Sequence, residues 1–163
     1  MKKQALVWTA VPEVYALMKA VNWPRIPQQK NKVEVRFGAH MPVAECDLVI
    51  VSGGTDQPVA PWATSGTPGK NDTVNVSVSV YTNVPGFDEL RTWAHLAELG
   101  TAIDLAFRDE TTGRPQIPAA LRDAGVLSVL CSPTSTQVTP AGEAGAASWM
   151  GSAEFTVALV ARI

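Results

Sequence analysis

Charge is scarce in this chain. Asp, Glu, Lys and Arg make up 17% of its 163 residues, where typical globular domains carry about 25%. Fewer charges leave less solvated surface, and a neighbouring subunit is the simplest cover for the shortfall. Neither sign dominates, since 13 basic residues stand against 15 acidic ones. The basic stripe with which nucleic-acid binders neutralise phosphates is missing, as is the Lys/Arg cluster that holds a protein to anionic lipid. Cysteine is nearly missing too. Cys46 and Cys131 lie far apart and outside any C-x-x-C spacing, which excludes a disulfide scaffold and leaves both as small buried hydrophobes in a reducing compartment. No apolar run approaches the roughly 20 residues that span a bilayer, so the chain is expected to be soluble and to have no membrane partner. Met1-Lys2-Lys3 and the apolar Ala5 to Val11 faintly resemble a secretion signal, but Pro12 and Glu13 interrupt it.

What remains is enough for one domain. The hydrophobic fraction of 46% is ordinary, and a chain of this length can bury roughly 70% of its unfolded surface without staples. Pro12 and Glu13 suit the first turn of a helix, and Val14, Leu17, Met18 and Val21 follow at helical spacing. A short helix is therefore expected from 12 to about 22, ended by Pro24 and Pro27. Val33, Val35 and Phe37 alternate in a first strand, and Asp47 to Val51 reads as a buried second one. The cleanest pattern is Val74, Val76, Val78 and Val80 on one face, with Asn75, Ser77, Ser79 and Tyr81 opposite. Period-two patterning in β-branched residues predicts a half-buried strand at 74–82.

Pro85-Gly86 then turns the chain into a long helix at 87–108. Its apolar stripe reads as Leu90, Trp93, Leu96, Ala97, Ile103, Ala106 and Phe107, weakened by Gly100 at its middle. A helical turn at 118–124 and strands at 126–131 and 153–163 complete the elements. In the last of these, Phe155, Val157, Leu159, Ala161 and Ile163 share a face. Strands grouped in pairs with short connections favour an antiparallel sheet. The expected fold is thus a single-domain α+β protein spanning 1–163. It has a mainly antiparallel sheet, one long and one short helix packed on one face, and long loops.

The segments 53–72 and 132–152 show no periodicity. Structureless loops of about 20 residues are uncommon in compact domains, and these carry Trp62 and Trp149. Either the two indoles fold back onto their own core, or the segments are arms that order against a neighbouring subunit. On the second reading the candidate interface residues are Trp62, Lys70 and Asp72 in the first arm, and Trp149 and Met150 in the second, since interface hot spots favour Trp.

Catalytic signatures are sparse. Gly66-Thr67-Pro68-Gly69-Lys70-Asn71 misses the phosphate-loop pattern at both ends and precedes a strand, whereas such a loop opens a helix. His95 and Glu98 share a helix face, but a metal needs further ligands and the other histidine is His40. An exposed hydrogen-bonded pair is the expectation. Asp104 is expected to face outward and Asp109 to lie in a loop. No G-x-S-x-G occurs. No catalytic, cofactor-binding or metal residue is assigned, no cofactor is expected, and the chain reads as a structural protein rather than an enzyme.

The order of elements resembles a known family. An early helix precedes a strand pair; a polar-alternating strand ending in Tyr81-Thr82 leads at once into Pro85-Gly86-Phe87-Asp88-Glu89-Leu90 and a long helix. Two strands close the chain, the last as Ala153-Glu154-Phe155-Thr156-Val157-Ala158-Leu159-Val160-Ala161-Arg162-Ile163. This is similar to the tail terminator (tail completion, or minor tail) proteins of long-tailed bacteriophages, although the 53–72 segment is long for that family. The resemblance implies a ring, typically of six subunits, at the head-proximal end of the tail tube in the virion neck, assembled in the host cytoplasm. Its partners would be further copies of itself, the tail tube protein and the head–tail connector or stopper, with DNA passing through the lumen without sequence-specific binding. Asp56, Asp72, Asp109 and Glu110 either line such a lumen or are solvated surface. Two other readings stand beside this one: a connector, stopper or tube subunit, and a small enzyme with its pocket under the long helix.

Overall fold

The computed structural model describes residues 6–26, 33–38, 47–59, 71–141 and 148–162. Helix α1 spans Leu6–Ala20, strand β1 Glu34–Phe37, β2 Leu48–Val59, β3 Asn71–Asn83, helix α2 Glu89–Leu105, the short α3 Ala119–Asp123, β4 Val126–Ala141 and β5 Ser148–Arg162. The strands form one five-stranded sheet in the order β1-β2-β3-β5-β4. Every pairing is antiparallel except β1 with β2. Both long helices pack on one face, α1 over β1, β2 and β3, and α2 over β3, β5 and β4. The fold is a mixed α+β domain of mainly antiparallel strands.

The valine strand is built as its alternation predicts. Val74, Val76, Val78 and Val80 are fully buried beneath the helices, while Asn75, Ser77, Ser79 and Tyr81 lie half-buried on the other face. Its neighbour β5 sends Phe155, Val157, Leu159 and Ala161 into the same core. From Asp47, just before β2, to Val51 the chain is buried throughout, as the apolar run predicts.

The structure corrects several expectations. The first helix starts at Leu6, so Pro12 lies in its interior and not in its first turn. The stripe of Ala10, Val11, Val14 and Met18 is buried and continues across the proline. Pro12 itself faces outward, so its missing N–H disturbs only the solvent side. At 15 residues α1 is nearly as long as α2 with 17, so the domain has two long helices, not one long and one short. The end of α1 is closed by Trp23, whose indole N–H donates to the Met18 carbonyl at 3.0 Å.

The first strand pair is parallel, not the antiparallel pair its short connection implies. Just four residue pairs join β1 to β2. The strand is also held from the helix layer, where Phe37 meets Tyr15 edge to face at 5.6 Å between ring centroids.

Neither aperiodic segment is a loop throughout. β2 continues to Val59 and β3 begins at Asn71, with a bulge between Ser52 and Thr55. β4 runs on to Ala141 and β5 starts at Ser148, forming one long hairpin paired out to Ala141 and Ser148. The outer half of β4, from Pro133 to Pro140, is exposed except for Val138. With no face buried there, no alternation is imposed on the sequence.

The N-terminus of α2 is capped by Asp88, which accepts from the Arg91 backbone N–H at 2.8 Å. Its buried face differs from the predicted stripe. Thr92, His95, Leu96, Leu99, Gly100 and Ile103 turn inward, while Leu90, Trp93 and Ala97 face outward. Two polar residues hold core positions because their polar atoms are satisfied, Thr92 by donating to the Asp88 carbonyl at 2.9 Å and His95 by the pair described below.

Candidate functional site

Two constellations stand out, one sealed and one open. The sealed one joins the top of the sheet to α2. Asp47, just before β2, accepts from the Thr82 hydroxyl on β3 at 2.7 Å and from His95 Nε2 on α2 at 2.7 Å. The His95 and Asp47 side chains are 3% and 1% exposed. Glu98 Oε2 lies 3.6 Å from His95 Nδ1 at the solvent side, and the Phe87 ring meets the imidazole edge-on. The expected exposed His95–Glu98 pair is thus a buried histidine between two carboxylates, the stronger partner arriving from far back in the sequence. Burial alone would lower the histidine's pKa; the hydrogen bond and charge of Asp47, then those of Glu98, hold it above the ordinary value of 6.5. What this arrangement does is tie three elements together. Among the described residues no three of His, Cys, Asp and Glu gather as a metal site.

The open constellation is a cleft of about 420 Å³ between α2 and the β4–β5 hairpin. Trp93, Ala97, Gly100 and Thr101 form its helix wall, Cys131, Pro133 and Thr136 its strand wall, and Ala153 and Phe155 its floor. It exists because the helix layer buries Val126 and Val129 on β4 but leaves that strand mostly exposed from Pro133 onward. At the rim Asp104, half-buried and not turned fully outward, pairs with Arg108 at 2.6 Å. An enzyme built on this fold would have its pocket here, beside the long helix. The thiol in it, Cys131, is half-buried and not fully enclosed. Burial first, then the Asp104 charge, against a smaller opposing effect of Arg108, pushes its pKa up to about 12. It is a protonated, weakly nucleophilic group.

Gly100 sets the depth of the cleft. A Cβ there would stand 2.9 Å from Phe155 Cζ, so the missing side chain lets α2 approach the sheet. Alanine would gain about 1 kcal/mol in helix propensity and lose about 1–3 kcal/mol to overpacking. The Phe155 ring can move toward the cleft, which keeps the loss near the lower limit. Gly100→Ala is therefore expected to leave stability within about 1 kcal/mol of the native chain, as read from a denaturant midpoint. A loss well beyond that would show that the ring cannot move.

Of the interface residues read from the sequence, Trp149 and Met150 lie on β5 and not on a loop arm, half-buried and paired with Pro140 and Thr139 of β4. Asp72 lies on β3, in register with Pro58 and Ala161. Trp62 and Lys70 fall outside the described residues, as do His40 and Cys46. Of the described positions, Asp72 and the Trp149–Met150 pair lie toward opposite ends of the β3–β5 ladder. The structure exposes other large apolar side chains: Trp8 on α1, Leu90, Trp93 and Leu105 on α2, and Leu127 and Leu130 on β4. Of these, Leu90 and Trp93 belong to the predicted α2 stripe, part of which faces solvent. Among the described residues no helix is long and apolar enough to cross a membrane. No protein-family model and no curated protein matches the chain.

Proposed function

We propose that this chain is a self-assembling structural subunit, and that it forms a ring of the tail-terminator kind, capping the head-proximal end of a phage tail tube and joining it to the head connector. The observation that carries the reading is the uncovered β4 side of the domain. β4 is a 16-residue strand at the end of the sheet, and Leu127 and Leu130 on it are 59% and 60% exposed. On the helix side of the sheet, α2 presents Leu90 and Trp93 to solvent. Exposed leucines on a strand at the end of the sheet, with exposed apolar side chains on the helix layer, mark a surface suited to a neighbouring copy. The sparse charge of the chain supports the same reading, since a subunit with several neighbours has less water to face. The order of helix, strands, long helix and closing strand pair is the feature on which the resemblance rests.

Size-exclusion chromatography with light scattering tests the assembly step, and electron microscopy of the same sample tests its shape. A closed ring of fixed copy number is expected, and adding it to polymerised tail tubes should cap one end of each. A chain that stays monomeric at every concentration overturns the proposal. A ring that ignores tubes but binds connector assemblies would move the chain to the connector class.

A further inference from the structure

A subunit in a ring needs two different surfaces, one for each neighbour, and this fold carries two on opposite edges. One edge is aromatic and carries a protruding indole. Trp8 is 74% exposed on α1, two turns before Tyr15 and hence on the same helix face. Tyr15 packs on Phe37 of β1, which fixes that face at the β1 edge of the sheet. Lys19, about one further turn along the same stripe, lies 5.4 Å over the Tyr15 ring. The other edge is concave. The cleft beside β4 has an apolar floor of Phe155 against Gly100, with Trp93 at its wall.

The sheet order separates the two edges by its full width, so one subunit cannot fill its own cleft with its own Trp8. The surfaces are also unlike each other. A two-fold contact needs one patch that complements itself, whereas a knob on one edge and a hollow on the other make a head-to-tail contact that repeats until it closes. An indole carries about 150–250 Å² of buriable surface, and the 420 Å³ cleft has room for it. Trp is the residue most favoured as an interface anchor, and aromatic walls favour it further.

We propose that Trp8 of one copy inserts into the cleft between α2 and β4 of the next, a contact that rests on the self-assembly reading above. The contact makes each subunit both donor and acceptor. It also gives Gly100 a function beyond packing, since a side chain there would push Phe155 into the seat of the indole.

The test uses two surface variants of the full chain and their mixture. Trp8→Ala removes the knob and leaves the cleft; Thr101→Arg blocks the cleft and leaves the knob. Both positions are exposed, and circular dichroism should confirm an unchanged fold. Light scattering is expected to find the native chain as a ring and each variant alone as a monomer. Mixed one to one at high concentration, the variants should form dimers and nothing larger, because the mixture contains one intact knob and one intact cleft per pair. If both variants assemble like the native chain, this contact is wrong while self-assembly stands. If the variants are monomers and their mixture stays monomeric, the surfaces do not meet and the contact is equally wrong. A native chain that never assembles overturns this contact and the ring together.

Discussion

Asp47→Ala is expected to destabilise the domain by about 3–5 kcal/mol, the range for removing one partner of a buried ion pair. The carboxylate is the shared acceptor of the Thr82 hydroxyl and His95 Nε2. Without it, a buried imidazole and a buried hydroxyl lose their partners at once, and each unsatisfied group adds its own desolvation cost. Asp47→Asn keeps an acceptor but loses the charge, and should cost less. Replacing both partners, as in Asp47→Ala with His95→Leu, should recover much of the loss, because it leaves no buried charge unpaired. Chemical denaturation of the monomer measures all three. A loss under about 1 kcal/mol for Asp47→Ala would mean that water reaches the site.

The same pair makes stability depend on pH, and the sign follows from His95. Its folded pKa is raised above the ordinary 6.5 by its carboxylate partners, against the effect of burial. The folded state therefore binds the proton more tightly than the unfolded chain does. The contribution of the charged pair is complete below the unfolded value and is lost as pH rises through the folded one. The denaturation midpoint should fall as pH is raised above about 6.5, and His95→Gln should flatten that slope. Glu98 adds to the effect from the solvent side, so Glu98→Gln should reduce the slope without abolishing it.

Leu159→Ala is expected to cost about 2–5 kcal/mol, the range for truncating a large buried aliphatic side chain. Leu159 is fully buried on the helix side of β5, opposite Val74 on β3 and Val129 on β4. Cross-strand neighbours on both sides cannot collapse into the space without shifting the sheet. Leu130→Ala, one strand over, is the control. Leu130 is 60% exposed on the other face, so its truncation should change monomer stability by less than about 0.5 kcal/mol. Equal losses at the two positions would contradict the assignment of sheet faces.

That contrast shows why some of this fold was legible in the sequence and some was not. The helix-side residues of β3 and β5 alternate because one face of those strands is buried and the other is not, which is the condition that writes a period of two into a sequence. The outer half of β4 satisfies no such condition: it is paired on one side and wet on both faces, so Ser, Thr, Gln and Pro stand there without order and read as a loop. In α2 the helix was legible but its rotation was not. His95 and Thr92 occupy inward positions that a hydrophobic stripe assigns to Trp93 and Ala97. The reason lies in Asp47, whose approach to His95 is a tertiary fact with no local trace. The start of α1 was hidden by a sound local rule, since proline belongs in the first turn of most helices. Here the stripe that crosses it supplies enough buried surface to hold the helix together around an interior proline.

The cleft and the outward aromatic residues were hidden for a different reason. A hydrophobic residue in an amphipathic pattern is read as core, and Trp93 and Leu90 fit that pattern by spacing alone. The structure separates them from the true core because Gly100 draws the helix down onto Phe155 and turns their side of it away.

The free margin of β4 carries one more implication. Two prolines, Pro133 and Pro140, interrupt it, and its register slips at Pro133/Ser135 and at Val126/Ser128. A proline contributes no amide hydrogen, and each slip bends the strand, so a second strand could not zip along this border without gaps. Copies that meet on this flank are steered to side-chain contacts and away from one continuous ribbon of backbone, the route by which bare sheet borders become fibrils.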